Sequence, residues 1–266
     1  MTIAIIGLGV VGISTAFQLK DYQLTAVDNN VDQLFSFHKR VSEFVQCREK
    51  FPDQKIFLWE PKQVTNIPLK NVDAYIICLP TPLHETYRTL DTSIIEEYLK
   101  QLPEDATIII RSTVPIGYFK SVQTSYPKMK FGYIPEFLRE DNAVNDTHKL
   151  DYLIIAGDIG DLDLLTGLTD YGRKRIYHVS LEEAEIIKLT HNGAISMRLA
   201  FFGEINRYCA ANGIDGEKVI GLVTQHPRIG KHYKYLPYRI AGKCLPKDLI
   251  TLASTLKRQV LNAALS

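Results

Sequence analysis

The chain reads as an α/β protein in which a doubly wound, mostly parallel sheet comes first and an all-helical region follows. Three observations lead to that reading. Between Thr2 and Ala156, short β-rich apolar runs alternate with helix-patterned segments, the order that builds a parallel sheet covered on both faces. The first run is followed by Gly7-Leu8-Gly9-Val10-Val11-Gly12, and the second ends in Asp28. From Ser180 onward the alternation stops and apolar residues recur at helical intervals. Two units, 1–179 and 180–266, are expected.

The elements follow in order. Thr2–Ile6 is the first strand, the glycine turn leads into a helix reaching about Lys20, and Leu24–Val27 is the second strand. A helix is expected over Val31–Lys39, whereas residues 40–70 have too little periodicity to assign. Then come a strand at Asp73–Leu79, a helix at Thr92–Leu102, a strand at Thr107–Arg111, a helix at Ile116–Tyr126, and strands at Lys130–Tyr133 and Tyr152–Ala156. Ser180 with Glu183 forms a capping box, and Ile187, Ile195, Leu199 and Phe202 carry the helical spacing on to about Ala211.

The glycine turn sits between a strand and a helix, with an acid at the end of the next strand, which is the full context of a Rossmann-type dinucleotide site. Gly7 permits the tight turn, Gly9 lets a pyrophosphate reach backbone, and Gly12 allows the helix to pack closely on the strand. Asp28 accepts hydrogen bonds from ribose hydroxyls and repels a 2′-phosphate, so the expected cofactor is NAD. Three further segments lie where strands end: Cys78-Leu79-Pro80-Thr81-Pro82, Arg111–Gly117 and Pro135–Glu140. Ligands of open α/β sheets bind beyond the carboxyl ends of strands, so these loops are expected around the nicotinamide end.

Composition excludes several classes. The 266 residues are 45% hydrophobic with a net charge of +1 and no basic run, giving no electrostatic reason to expect nucleic acid or an anionic membrane as partner. No apolar run approaches the ~18 residues of a membrane span, and no charged segment precedes an N-terminal apolar stretch, so a cytoplasmic location is expected. The cysteines Cys47, Cys78, Cys209 and Cys244 make no CxxC pair, which argues against a zinc site and a disulfide framework. No metal is expected.

Cys244 is the candidate nucleophile. Gly242 lets backbone approach a ligand, Lys243 and Lys247 favour thiolate, and Asp248 follows four residues on. Lys188 and Asn192, also four apart, share one face of the long helix. A solvated face would account for them, but Asn192-Gly193 is a poor pair for a helix interior, and such local conflicts often mark function.

Taken together, these segments resemble the UDP-glucose/GDP-mannose dehydrogenase family of nucleotide-sugar dehydrogenases. The matching stretches run in the family's order over nearly the whole chain: the glycine turn with Asp28, LPTP (79–82), RSTVPIG (111–117), PEFLRE (135–140), AEIIKLTHN (184–192), RLAFFGEIN (198–206), PRIGKHY (227–233) and GKCLPKD (242–248). Cys-Leu-Pro-Lys-Asp is similar to the UDP-glucose and GDP-mannose branches, and Arg228-Ile229-Gly230 with His232-Tyr233 is similar to the UDP-glucose branch.

The resemblance implies a four-electron oxidation of a sugar alcohol, with UDP-glucose as the first candidate substrate, consuming two NAD and passing through a thiohemiacetal and a thioester on Cys244. It implies that Lys188 and Asn192 stabilise the developing oxyanion, that Asp248 helps with proton transfer or orients water, and that Thr113 and Glu136 position the hydrolytic water. Thr81, Thr113 and Glu140 become cofactor contacts, with Val11 beside the pyrophosphate. The substrate side takes Glu136, Phe137, Leu138, Arg139, Lys188, Asn192, Arg228, Tyr233 and Gly242. Family members dimerise around the helical region, so a homodimer is expected, with Arg228 acting on the neighbouring subunit.

The chain also departs from the family pattern. The family's Gly-x-Gly-Gly-x-Cys is Arg239-Ile240-Ala241-Gly242-Lys243-Cys244 here, an asparagine of the long helix is Gly203, and a basic position after Asp28 is Gln33. Family members continue into a second Rossmann-like domain that binds the uridine diphosphate, which leaves two readings open: a dehydrogenase shortened in this chain, or a degenerate NAD-binding homologue without turnover.

Overall fold

The computed structural model describes residues 2–19, 22–28, 71–139, 143, 146, 150–159, 175–230, 240 and 242–257. The helix expected at Val31–Lys39, Gln33, Glu140, Tyr233, Arg239 and Ala241 lie outside these described residues. The chain divides into two compact units: Met1–Thr81 with Thr92–Glu185, and Pro82–Asp91 with Ile186–Ser266.

The first unit is built on β1 (Thr2–Ile6), α1 (Val10–Gln18), β2 (Gln23–Val27) and β3 (Ala74–Ile77). A short hairpin, β4 (Leu83–His84) with β5 (Thr89–Leu90), leaves this unit to join the second. The first unit then resumes with α2 (Ser93–Leu99), β6 (Thr107–Ile110), α3 (Tyr118–Ser125), β7 (Lys130–Tyr133), β8 (Tyr152–Gly157) and β9 (Arg175–Val179). The sheet runs β2-β1-β3-β6-β7-β8-β9, parallel throughout except where β7 meets β8. Central strands are continuous apolar runs because both of their faces are covered: Ile3 to Ile6, Ala74 to Ile77 and Ile108 to Ile110 are all buried. Each fully buried isoleucine of these strands contributes about 1.5–3 kcal/mol relative to an exposed one.

Strands β1, β3, β6 and β7 are parallel neighbours, and β2 flanks β1 on its other side, so the carboxyl ends of all five open on one edge of the sheet. The glycine turn, Asp28, and the loops starting at Cys78, Arg111 and Ile134 all leave from that edge. The chain winds outward from β1 in opposite directions to β2 and to β3, which makes the edge above β1 the switch point where such sheets bind ligands. Strand β9 was not anticipated. Four of its five residues are exposed, so it carries no periodicity that distinguishes a strand from a loop.

The second unit is mainly helical: most of α4 (Leu181–Ala211), α5 (Gly216–Val223) and α6 (Leu245–Leu256). The division falls between Glu185 and Ile186, inside α4, rather than ahead of that helix. The expected capping box is present: Ser180 Oγ accepts from Glu183 N–H at 3.2 Å, and Glu183 Oε2 accepts from Ser180 N–H at 2.7 Å. A Cβ at Gly193 would stand 2.8 Å from Leu252 Cδ2, so the glycine that weakens α4 locally is what lets α6 pack against it. The hairpin, also not anticipated, packs on α6 through β5, with Leu90 buried. Among the described residues no helix is long and apolar enough to cross a membrane.

Candidate active site

In the first unit the glycine turn has the geometry a dinucleotide needs. Gly7 has φ +92°, and a Cβ there would lie 2.6 Å from Cys78 O; a Cβ at Gly12 would lie 1.9 Å from Gly7 O. These two positions admit no side chain. Around Gly9, by contrast, nothing lies within 4 Å of where a Cβ would sit, leaving bare backbone facing open space. Gly9 is also the N-cap of α1, with no side-chain cap and no acid in the first turn, so the first N–H groups of that helix are presented to an anion. Asp28 Oδ2 accepts from Leu8 N–H at 2.7 Å, which anchors the carboxylate against the turn.

The neighbouring loops are tied to one another. Thr81 is buried and its Oγ1 donates to Thr113 O at 2.7 Å, while Ser112 Oγ donates to Leu79 O at 2.7 Å. Arg111, 4% exposed, donates from Nη1 to Thr15 Oγ1 and Gln18 Oε1, both at 3.0 Å, and so links the loop after β6 to α1. Burial holds its guanidinium below the ordinary value, and burial likewise pushes the Cys78 thiol up to about 11. Cys78 is therefore a neutral core thiol at physiological pH.

Glu136 Oε2 accepts from Leu138 N–H at 2.8 Å, which folds the Pro135–Arg139 segment back on itself. Arg139 forms a two-pronged ion pair with Asp146, from Nε at 2.8 Å and Nη2 at 2.6 Å. Sequence reasoning placed it toward substrate without foreseeing that partner.

In the second unit the residues singled out from the sequence converge on a buried carboxylate. Asp248, fully buried in the first turn of α6, accepts from Asn192 Nδ2 at 2.6 Å and from Lys247 Nζ at 2.8 Å. Lys188 and Asn192 are 3% and 6% exposed, which disposes of the solvated-face alternative. Lys247, expected to favour thiolate at Cys244, is instead committed to Asp248. Cys244 is exposed at the N-cap of α6, where the helix dipole favours negative charge. Gly242, two residues earlier, has φ +83° with open space where a Cβ would stand. Arg228 is exposed beyond α5, and its N–H donates to His226 Nδ1 at 3.3 Å.

Sequence reasoning missed two residues of consequence. Glu185, 1% exposed, accepts from the N–H groups of Gly117 and Phe119, and Arg111 is buried beneath α1. Arg111 left a signal, a charged residue directly after the apolar run Thr107–Ile110, whereas Glu185 lies among Glu182, Glu183 and Lys188 and left none.

The parallel sheet, the two glycines that admit no side chain, the open one between them and the anchored Asp28 define a dinucleotide-binding domain with an acid placed to select NAD. Comparison with known proteins agrees. The NAD binding domain of the UDP-glucose/GDP-mannose dehydrogenase family matches residues 1–161, and the central domain of that family matches residues 182–266. The chain belongs to this family, and its cofactor is NAD. It is 31% identical over 272 residues to a UDP-glucose 6-dehydrogenase of Streptococcus pneumoniae, covering 97% of this chain and 69% of that one. It is 32% identical to a UDP-glucose 6-dehydrogenase of Campylobacter jejuni, covering 93% and 66%. Among solved structures, the fold matches a UDP-D-ManNAc dehydrogenase from Pyrococcus horikoshii with a TM-score of 0.80 at 22% identity, covering 99% of this chain and 67% of that one. A UDP-glucose dehydrogenase from Pyrobaculum islandicum matches with a TM-score of 0.77 at 19% identity, covering 99% and 67%. The chain spans about two thirds of the length of the relatives it matches.

Proposed function

We propose that this chain carries the cofactor and catalytic halves of an NAD-dependent oxidation of a UDP-sugar, UDP-glucose first among candidates, from the C6 alcohol to the carboxylate. NAD, when bound, accepts the hydride that leaves C6 in each of two oxidations. In the first, the C6 hydroxyl loses its proton and the carbon its hydride, giving an aldehyde. Cys244 thiolate adds to that aldehyde to form a thiohemiacetal, and loss of the second hydride leaves a thioester. Water attacks the thioester, the carbon–sulfur bond breaks, and the uronate leaves with Cys244 restored as thiol or thiolate.

The remaining roles are those that the family resemblance implies. An ammonium and an amide on one face of α4, Lys188 and Asn192, suit an oxyanion at C6. Asp248 fixes the Asn192 amide and serves proton transfer nearby. Thr113 and Glu136 position the hydrolytic water, Glu140 and Thr81 contact the cofactor, and Phe137, Leu138, Arg139, Arg228, Tyr233 and Gly242 lie toward the sugar nucleotide. The chain acts as a homodimer through its helical region.

The observation that carries this reading is Asp248. A fully buried carboxylate one turn into the helix capped by Cys244 is bonded to Asn192, joining the nucleophile's helix to the helix of Lys188. The test is to count NADH formed per UDP-glucose consumed by the parent and by Cys244→Ala, with GDP-mannose and UDP-N-acetylmannosamine as competing substrates. Two NADH per UDP-glucose, with the second lost in the variant, is expected. NAD binding by titration without NADH from any of the three would refute the reading. A second reading, cofactor binding without turnover, is favoured by Arg239 and Ala241, which stand where the family pattern before the cysteine has glycine.

A further inference from the structure

We infer that His191 is a positioning residue for the proposed reaction, its Nδ1–H donating to Asn192 Oδ1 and so fixing which end of the Asn192 amide is offered to the oxyanion. The inference rests on the role proposed above for Asn192, and every group it uses lies in the second unit. An asparagine amide has a donor end and an acceptor end of nearly the same shape, so packing alone does not choose between them. In Asn192, which is buried, charge makes the choice. Asp248 Oδ2 stands 2.6 Å from Asn192 Nδ2, while Lys247 Nζ takes the other carboxylate oxygen at 2.8 Å. Turning the amide over would set two acceptor oxygens against each other in a buried site and forfeit the bond.

The oxygen end is therefore directed away from Asp248, and it lies 3.0 Å from His191 Nδ1. A carbonyl oxygen only accepts, so Nδ1 carries the proton. Consecutive residues of a helix do not face each other, so the turn of α4 alone does not bring these two side chains together. Of the two amide N–H groups, one is committed to Asp248, and among the described residues the other is bonded to nothing. That second N–H is what the amide has to give a developing oxyanion, which the carbonyl end would repel. Asp248 and His191 hold the amide by both ends, so the donor is oriented before a substrate arrives.

The test starts with the parent in alkaline buffer, where an ordinary imidazole is neutral. Nitrogen-15 NMR of the histidine rings, with His191 assigned by the signals lost in His191→Asn, is expected to show Nδ1 protonated. Nδ1 without its proton overturns the inference. Two variants, His191→Leu and His191→Asn, have the same branched shape and differ in the donor. Without substrate, the Asn192 side-chain N–H signals, assigned by their loss in Asn192→Ala, are expected to exchange with water about fivefold faster or more in the leucine variant and to stay within about twofold of the parent in the asparagine variant, the scale of one hydrogen bond. With UDP-glucose, kcat per folded protein is expected to fall about 5- to 10-fold in His191→Leu, with at least half of the loss recovered in His191→Asn and KM for NAD within about twofold in both. A purely structural role would lower the melting temperature and leave kcat per folded protein unchanged, and equal kcat in the two variants overturns the positioning role. Where the leucine variant does not accumulate, the Nδ1 signal of the parent decides. A parent without turnover overturns the functional reading instead. Nδ1 protonated, with faster Asn192 exchange in the leucine variant, then supports the inference, and the absence of either overturns it.

Discussion

Replacing Asp248 by alanine tests the centre of the second unit. The carboxylate is fully buried and holds two donors, Asn192 Nδ2 at 2.6 Å and Lys247 Nζ at 2.8 Å. Breaking a buried pair by removing one partner costs about 3–5 kcal/mol, because the other charge is left without compensation. Lys247 keeps 17% of its side chain exposed and is able to turn its ammonium toward water, which puts the cost near the lower end, about 3 kcal/mol. For a chain of this size that corresponds to a fall in Tm of roughly 6–12 °C. Asn192→Ala removes one donor and costs less, about 1–3 kcal/mol, part of it returned by alanine's better helix propensity. Since the two side chains bond each other, the double variant should be less destabilised than the sum of the singles by about 0.5–3 kcal/mol. Thermal and urea unfolding followed by circular dichroism at a helical wavelength measures all four corners of the cycle. A shift below about 2 °C for Asp248→Ala, or strict additivity, would refute the claim that this bond joins α4 to α6.

Three further outcomes are expected. Gly9→Ala, whose Cβ meets nothing within 4 Å, should fold with its stability within about 0.5 kcal/mol of the parent yet bind NAD at least ~10-fold more weakly, whereas Gly12→Ala, whose Cβ would stand 1.9 Å from Gly7 O, should lose stability as well; melting curves beside NAD titrations separate the two. Asp28→Ser removes the charge that repels a 2′-phosphate, so the ratio of Kd values for NADP and NAD should fall by about 10-fold, or 1.4 kcal/mol, and an unchanged ratio would remove Asp28 from cofactor choice. Burial raises the Glu185 carboxyl, so in the unfolded chain it ionises first and the stability it contributes is fully present only below its ordinary value of 4.5. That contribution is lost as pH rises through the higher folded value, so the gap in Tm between the parent and Glu185→Gln should narrow as pH rises above the ordinary value of 4.5, and a widening gap would contradict the raised carboxyl.

Much of the cofactor half was legible because its requirements are local. A turn that excludes side chains at Gly7 and Gly12 must be written in glycine, a strand buried on both faces must be written as Ile3 to Ile6, and an acid fixed beside that turn must end the neighbouring strand. The capping box at Ser180 was legible for the same reason, since both partners lie within one turn. The hairpin at Leu83–Leu90 and strand β9 were not. Two-residue strands have no period to read, and an exposed edge strand shows no alternation of buried and polar positions.

The sequence by itself determined which residue types are present for chemistry: a cysteine after a glycine, a lysine and an asparagine on one helical face, an acid ending the second strand. Only the tertiary structure decided what each of them holds. Lys247 binds Asp248, Asp248 binds Asn192 from 56 residues away, Glu185 reaches the backbone at Gly117, and Arg111 reaches Thr15. The physical reason is that spacing along a chain constrains partners only within a turn or two. A buried charge takes whichever donor or acceptor the topology brings to it, since leaving it unpaired away from water costs several kcal/mol, on the order of a large fraction of a domain's net stability.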